Sequence, residues 1–319
     1  MTQQVSRLAY FPVTLFASVM GMTGLALAWH KLDHMLNLSV SPASPIAFIA
    51  ALVFVLLSVV YTLKFIRHRE QVAIEFQHPV KSNFFATISI SILLLAILSL
   101  MYSPGLAKGL FVLGALIHLS FTMLIFSRWI FSDKHQNPHL TPAWFIPVVG
   151  NILVPIVAVP LGHVEIGWFF FSIGIVFWIV LFTILMHRLF FLDPMPVQLA
   201  PTLFILIAPP AIGFVSYVTL NGFVDNFAQV LYGVALFITL FLLLQFARFH
   251  RLPFFLSWWA YSFPLASMSI ASLLYFEQTQ YKPVYWIGIA LLAFTSVLII
   301  GLLIRTLIAM KNKQICLPE

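Results

Sequence analysis

Charged residues are scarce in this chain. Lys, Arg, Asp and Glu together make up 8% of its 319 residues, whereas roughly a quarter of an ordinary soluble domain is charged. Hydrophobic residues make up 62% of the chain, and Phe alone occurs 33 times. This composition excludes a soluble globular domain and predicts an all-α integral membrane protein that crosses the lipid bilayer several times. We expect no nucleic-acid partner.

Cysteine and the common catalytic motifs are also nearly absent. Cys316 is the single cysteine, so the chain cannot form an intrachain disulfide or a thiolate zinc site. The sequence contains no HExxH, GxSxG or glycine-rich phosphate-binding motif. We therefore expect a protein that is not an enzyme and that holds no cofactor and no metal ion.

The hydrophobic residues are grouped into ten apolar stretches, which we call spans 1 to 10. They cover residues 10–30, 45–66, 82–102, 104–131, 138–162, 164–187, 198–220, 226–247, 253–276 and 282–309. Each is long enough to cross a bilayer as a helix, which takes about 20 residues. The sequence thus predicts one domain of ten transmembrane helices over residues 10–310, with an N-terminal segment 1–9 and a C-terminal tail 311–319.

Lys and Arg are distributed unevenly between the two sides that ten spans would create. With ten spans, 13 of the 16 Lys and Arg residues fall on the side of both chain ends, and only Lys31, Lys108 and Lys282 fall on the other. Because basic residues concentrate in cytoplasmic loops, this pattern predicts cytoplasmic N- and C-termini. We expect a multi-pass protein of the plasma (inner) membrane.

Odd and even spans differ in their proline and small residues. Even spans keep Pro to their first turn or lack it, and their interiors are smooth apolar runs. Kinked helices with small residues need protein or water beside them, whereas smooth apolar helices can face lipid. We therefore predict five helical hairpins around a central pore lined by the odd helices. The candidate pore-lining or kink residues are Gly21, Gly24, Ser89, Pro147, Gly150, Pro155, Pro209, Pro210, Ser262, Pro264 and Ser267.

Residues 257–269 of span 9 (SWWAYSFPLASMS) carry the clearest signal for a break inside a helix. Pro264 has no N–H to donate and its ring clashes with the preceding turn, so it predicts a kink midway along span 9 that frees backbone carbonyls. The bulky Phe263 stands at this kink among small residues. It is either a packing aromatic or a plug of the pore.

The predicted pore has no charged residues along its middle. Ionisable residues are absent from the middle of every odd span, whereas proton-coupled transporters usually bury an Asp or Glu on their route. Partial positive charge at the N-termini of broken helices favours anions. His118, in the middle of span 4, is either a helix–helix hydrogen-bond partner or a proton site. In the segment before span 3, either Ser82 or Asn83 caps the helix and Lys81 lies at the lipid headgroups, or His78 and Lys81 attract anions to the cytoplasmic mouth.

Four ordered motifs resemble a known family. Residues 75–85 (EFQHPVKSNFF), 142–151 (PAWFIPVVGN), 201–210 (PTLFILIAPP) and 258–264 (WWAYSFP) are similar to the tellurite-resistance/dicarboxylate transporter family. That family includes bacterial TehA, fungal malate permeases and the slow anion channels of plant guard cells. The resemblance implies five helical hairpins, a homotrimer with a separate pore in each subunit, and a Phe on the ninth helix that occludes the pore. Phe263 occupies that position of the motif.

Two functions are therefore expected from the sequence. The first is an anion channel for small monovalent anions such as chloride or nitrate, with Phe263 as its gate. The alternative is a proton-coupled secondary transporter of malate-like carboxylates or other oxyanions. In either case the partners are inorganic anions or small carboxylates and the lipid bilayer.

Overall fold

The computed structural model describes residues 6–38, 40–132 and 136–317, and these contain helices and loops but no strand. Eight of the described helices are long and apolar enough to cross a membrane. They are Val13–Leu36, Ala43–Arg67, Lys81–Ser99, Pro104–Phe131, Val164–Phe191, Val197–Asn221, Asn226–Leu244 and Lys282–Lys311. The predicted all-α integral membrane architecture is confirmed.

Spans 5 and 9 differ from these eight. Span 5 is a shorter apolar stretch, Pro142–Ala158, built from alternating 3-10 and α segments. Span 9 is an 18-residue α-helix, Ser262–Thr279, that follows a 3-10 segment, Leu256–Tyr261. Both predicted stretches are thus helical, but neither is among the eight, so the count of ten transmembrane helices stays a prediction.

Each odd span begins with a 3-10 helix, a feature that we did not foresee. The α-helices that follow begin at Phe16, Ala86, Phe145, Ala208 and Ser262. The 3-10 segments are Val13–Leu15, Lys81–Phe85, Pro142–Trp144, Val197–Ile207 and Leu256–Tyr261. Span 5 contains a second one, Gly150–Leu153, before the α-helix Val154–Ala158. The even spans begin directly as α-helices.

Several prolines of the odd spans lie where α-helix begins. Pro155 is the second residue of Val154–Ala158, and Pro209 is the second residue of Ala208–Asn221. The predicted midway kink at Pro264 is wrong in one respect, because the irregularity precedes this residue as a 3-10 segment and Pro264 lies in the first turn of Ser262–Thr279. Proline is tolerated there because the first N–H groups of a helix have no acceptor within the helix.

Side chains bind carbonyl oxygens around these junctions. In every odd span a hydroxyl or amide donates to a carbonyl three residues earlier, at 2.5–2.8 Å. The donors are Ser18, Thr87, Asn151, Thr202 and Ser262. Because a buried carbonyl without a partner is costly, these bonds stabilise the irregular turns inside the bundle.

The odd spans form a ring in the centre of the molecule. Span 1 contacts span 3, each later odd span contacts the next, and span 9 returns to span 1. Each odd span also contacts the even span that follows it. In the odd spans among the eight, 67–89% of the most apolar segment is buried, against 22–39% in the even spans. This difference agrees with an inner ring of odd spans and an outer ring of even spans.

Candidate functional site

The ring of odd spans encloses two cavities along its axis. The first has a volume of about 290 Å³ and includes Lys81, so we call it the Lys81 cavity. Its walls come from all five odd spans and from His78 and Val80, just before span 3. Lys81 is the one Lys, Arg, Asp or Glu among the described residues that line it. The other lining residues are mainly apolar.

The second cavity has a volume of about 430 Å³ and includes Lys31 and Glu277, and we call it the Lys31 cavity. It too is lined by residues of the five odd spans. Lys31 lies near the C-terminal end of the first membrane helix and Glu277 near the end of Ser262–Thr279. His30 and His34 also line this cavity. Both cavities are therefore built from the spans that the sequence assigned to the pore.

A thin apolar layer lies between the two cavities. Among the described residues, Leu153, Ile212 and Phe263 line both of them. Phe263 is only 8% exposed. Its ring lies against Gly24, where an added Cβ would approach Phe263 Cδ2 to 3.1 Å. The aromatic ring that the sequence singled out is thus located where the two cavities meet.

The structure separates the other predicted pore residues into two groups. Gly150, Pro209 and Pro264 line the Lys81 cavity, as do the predicted mouth residues His78 and Lys81. Among the described residues, the remaining candidates line neither cavity. These are Gly21, Gly24, Ser89, Pro147, Pro155, Pro210, Ser262 and Ser267.

Contacts between helices account for several members of this second group. An added Cβ at Gly21 would lie 2.1 Å from Ser262 Oγ, so spans 1 and 9 touch there. The Pro147 carbonyl accepts a hydrogen bond from Thr122 Oγ1 of span 4 at 2.6 Å. Ser267 Oγ donates to the carbonyl of Phe263 at 2.7 Å. These residues hold the wall of the ring in place.

His118 makes the helix–helix hydrogen bond that was one of its two interpretations. Its Nδ1 lies 2.9 Å from Ser89 Oγ of span 3, and the side chain is fully buried. The ring fits behind Gly150, where an added Cβ would come within 2.4 Å of His118 Nε2. Gly150 therefore admits the imidazole of an even span to the back of the cavity wall.

At the Lys81 cavity, His78 shapes the chain before span 3. Its Nδ1 accepts hydrogen bonds from the backbone N–H groups of Val80 and Lys81, at 3.1 and 3.2 Å. His78 thus has a structural role at the entry to span 3 that the sequence did not predict. Since both residues also line the cavity, the same turn positions the positive charge of Lys81 at its wall.

A buried ion pair fixes the start of span 1. Glu75 Oε2 accepts from Lys64 Nζ at 2.5 Å and from Tyr61 Oη at 2.9 Å, while Oε1 accepts from the backbone N–H of Val13 at 2.8 Å. Lys64 also donates to the Phe11 carbonyl at 2.8 Å. The network joins spans 1 and 2 to the short helix Arg69–Gln77, beside the Lys81 cavity.

Sequence reasoning missed some residues that matter to this geometry. Leu153 and Ile212 are two aliphatic residues among many, and nothing in the sequence distinguishes them. The contact of Lys31 with Glu277 joins residues 246 positions apart, and nothing in the sequence pairs them. Lys64, the buried partner of Glu75, likewise cannot be distinguished by sequence from the other basic residues near span ends.

The chain matches known proteins along nearly its whole length. The sequence pattern of SLAC1, described as a voltage-dependent anion channel, matches residues 10–307. The chain is 27% identical to the S-type anion channel SLAH3 of Arabidopsis thaliana over 308 residues, which are 93% of this chain and 48% of SLAH3. It is 26% identical to the tellurite resistance protein TehA homolog of Haemophilus influenzae, covering 95% of this chain and 92% of that protein.

The chain is also 27% identical to the guard cell S-type anion channel SLAC1 of Arabidopsis thaliana, covering 93% of this chain and 55% of that protein. The chain therefore spans about half the length of these plant relatives. The family pattern covers most of the chain, including all five odd spans that enclose the two cavities. The chain belongs to the SLAC1 family of voltage-dependent anion channels.

Proposed function

We propose that this protein is a passive anion channel in which small monovalent anions such as chloride or nitrate pass between the odd spans. The observation that carries the proposal is the pair of cavities on one axis, separated by the apolar layer of Leu153, Ile212 and Phe263. No charged side chain belongs to this three-residue layer. Membership of the SLAC1 family supports anion transport.

The preference for anions is supported by the helix ends around the Lys81 cavity. Lining residues include Ala17, Thr87, Ala208 and Phe263, each within the first turn of an α-helix from a different odd span. The N-terminus of an α-helix carries roughly half a positive elementary charge. The 3-10 segments that precede these helices extend the same dipoles, so several positive helix ends and Lys81 lie at one end of the bundle, and no acidic residue is among the described lining of the cavity.

We propose that Phe263 closes the path in the resting state. Its ring is the largest side chain of the shared layer. The ring packs against Gly24, which has no side chain to displace it. A ring held by a few kcal/mol of packing and rotamer energy would leave the open state populated at about 0.1–10%. Voltage or a partner that favours another rotamer would then open the path.

The experiment is a comparison of chloride currents in planar bilayers between wild type and Phe263→Ala. Removal of the ring should raise the mean current by on the order of tenfold to a thousandfold, because the closed state loses its obstruction. Phe276→Ala is the matched control. Phe276 lies on the same helix and contacts Tyr285, but it lines neither cavity within the described residues.

The result that would contradict the proposal is a folded Phe263→Ala protein that conducts no more chloride than wild type. Equal increases in Phe263→Ala and Phe276→Ala would also contradict it, because the increase would then reflect loosened packing. Thermal unfolding of both variants in detergent establishes that they are folded.

One observation favours a second candidate function, proton-coupled transport of carboxylates or other oxyanions. Glu277 is a carboxylate that lines the Lys31 cavity, and a protonatable group on the route is typical of such transporters. Carboxylate uptake by wild type that follows a pH gradient, without a macroscopic anion current in Phe263→Ala, would decide for this candidate.

The proposal also includes the sidedness and assembly that the sequence suggested. We propose cytoplasmic chain ends, which place the Lys81 cavity on the cytoplasmic side, and a homotrimer with one path in each subunit. Exposed aromatic residues on even spans, including Phe48, Phe237 and Trp286, support an outer surface that meets lipid or neighbouring subunits.

A further inference from the structure

We infer that the ion pair between Lys31 and Glu277 determines how strongly the Lys31 cavity attracts anions, with Glu277 masking the charge of the lysine. This inference rests on the anion channel proposed above. It assigns a selectivity role to two residues that lie beyond the Phe263 layer, on the side opposite Lys81.

The pair lies inside the cavity and is reached by water. Lys31 Nζ contacts Glu277 Oε2 and thereby joins span 1 to span 9. The two side chains are 22% and 33% exposed, and both line the cavity. An anion that has passed Phe263 must therefore cross the field of this pair before it reaches the solution.

Few other ionisable groups contribute to this field. Among the described residues that line the cavity, His30 and His34 are the other ionisable ones, and both lie on span 1 beside Lys31. Asp33 lies on the same helix but is outside the lining and accepts a hydrogen bond from Ser41 Oγ. Recordings at one fixed pH keep the contribution of the two histidines constant.

The charge of the pair is close to zero while both partners are ionised. Loss of Glu277 alone leaves one positive charge at the cavity, and loss of Lys31 alone leaves one negative charge. A cavity with low-dielectric walls focuses the field of such a charge and changes the local concentration of small ions. The two single substitutions should therefore change anion flow in opposite directions. If the ion pair only held spans 1 and 9 together, both substitutions would loosen the same contact and change anion flow in the same direction.

The experiment measures chloride currents at low salt in the Phe263→Ala background, where the path is open. Glu277→Gln should raise, and Lys31→Gln should lower, the current by on the order of threefold at about 0.01 M salt, where the Debye length is about 30 Å. The double variant Lys31→Gln/Glu277→Gln should return close to the parent. All three differences should shrink at about 1 M salt, where the Debye length is about 3 Å.

Glu165→Gln and Lys282→Gln are the matched controls. Both residues are exposed at helix N-termini near the same end of the bundle, and neither is among the described lining of the cavity. Because their charges lie outside the cavity, they should change the current less than the variants of the pair do. If a single variant of the pair fails to fold, the exchange Lys31→Glu/Glu277→Lys keeps the ion pair and should conduct like the parent.

The outcomes separate this inference from the channel proposal. If Phe263→Ala conducts chloride but Lys31→Gln and Glu277→Gln shift the current in the same direction or not at all, the inference is overturned and the channel stands. Equal shifts in the controls overturn it as well. If Phe263→Ala carries no chloride current, the channel proposal fails and the inference fails with it.

Discussion

Gly21 shows how one residue sets the distance between two helices of the inner ring. A Cβ at this position would lie 2.1 Å from Ser262 Oγ and 2.6 Å from Ser262 Cβ, so the side chain of Ser262 on span 9 occupies the space that a larger residue on span 1 would need. One turn later, Gly24 leaves the space occupied by the ring of Phe263. We had assigned both glycines to the pore, but the structure gives them a packing role behind it.

The substitution Gly21→Ala tests this close approach. The added methyl group cannot fit without moving span 1 or span 9, and such overpacking typically costs about 1–3 kcal/mol of unfolding free energy. We expect a lowered thermal unfolding temperature of the purified protein in detergent. The measurement is unfolding followed by circular dichroism or by light scattering.

The control for Gly21→Ala is Gly233→Ala in span 8. A Cβ added at Gly233 would meet no atom of the described residues within 4 Å. Alanine is also the better helix former, so this variant should be as stable as wild type or slightly more stable. If Gly21→Ala unfolds at the same temperature as Gly233→Ala, the close packing of spans 1 and 9 at this point is refuted.

At the scale of elements, the asymmetry between odd and even spans was predictable and its structural form was not. Pro and small residues identified the odd spans, because such residues are unfavourable in a helix that faces lipid. The 3-10 segments were missed, because 3-10 and α helices have similar local sequences and differ mainly in which carbonyl accepts each N–H. The hydroxyls of Ser18, Thr87 and Ser262 donate hydrogen bonds to nearby carbonyls. These carbonyls are therefore not free, although we expected free carbonyls along the pore.

The entry to span 1 gives a prediction about a buried charge. Glu75→Gln keeps the hydrogen-bonding shape of the side chain but removes the negative charge beside Lys64, which is only 2% exposed. Leaving one partner of a buried pair without its counter-charge typically costs about 3–5 kcal/mol. We expect a strong loss of thermal stability in detergent, with the segment before span 1 becoming accessible to protease first.

Two further variants show whether charge is the cause. Glu70→Gln removes an exposed carboxylate from the same short helix and should have little effect on unfolding. The double variant Lys64→Met/Glu75→Gln removes both charges and should recover part of the lost stability. A Glu75→Gln protein as stable as wild type would contradict the structural role of this ion pair.

At the scale of the whole molecule, the first and last parts of the chain that the structure describes lie close together. The thiol of Cys316 has its pKa raised by burial, and the nearby positive charges of Arg7 and Lys64 act in the opposite direction. The segments that carry residues 7 and 316 therefore lie close together. This arrangement agrees with an even number of crossings, on which the predicted distribution of 13 basic residues to one side depends.

The ring of odd spans could be predicted as a set, but its interior could not. Alternation of broken and smooth helices indicated which spans face inward, and the motif around Phe263 indicated the aromatic residue on the axis. The partners of Phe263 in the layer, Leu153 and Ile212, come from distant parts of the chain and are chemically like dozens of others. Their meeting depends on the tilt and depth of each helix, which packing of the whole bundle determines.

The central claim is that the axis between the two cavities is a path for anions and that Phe263 obstructs it. The most direct measurement is the reversal potential of single Phe263→Ala channels in a planar bilayer under a potassium chloride gradient. We expect the current to reverse near the equilibrium potential of chloride. Reversal near the equilibrium potential of potassium would contradict it.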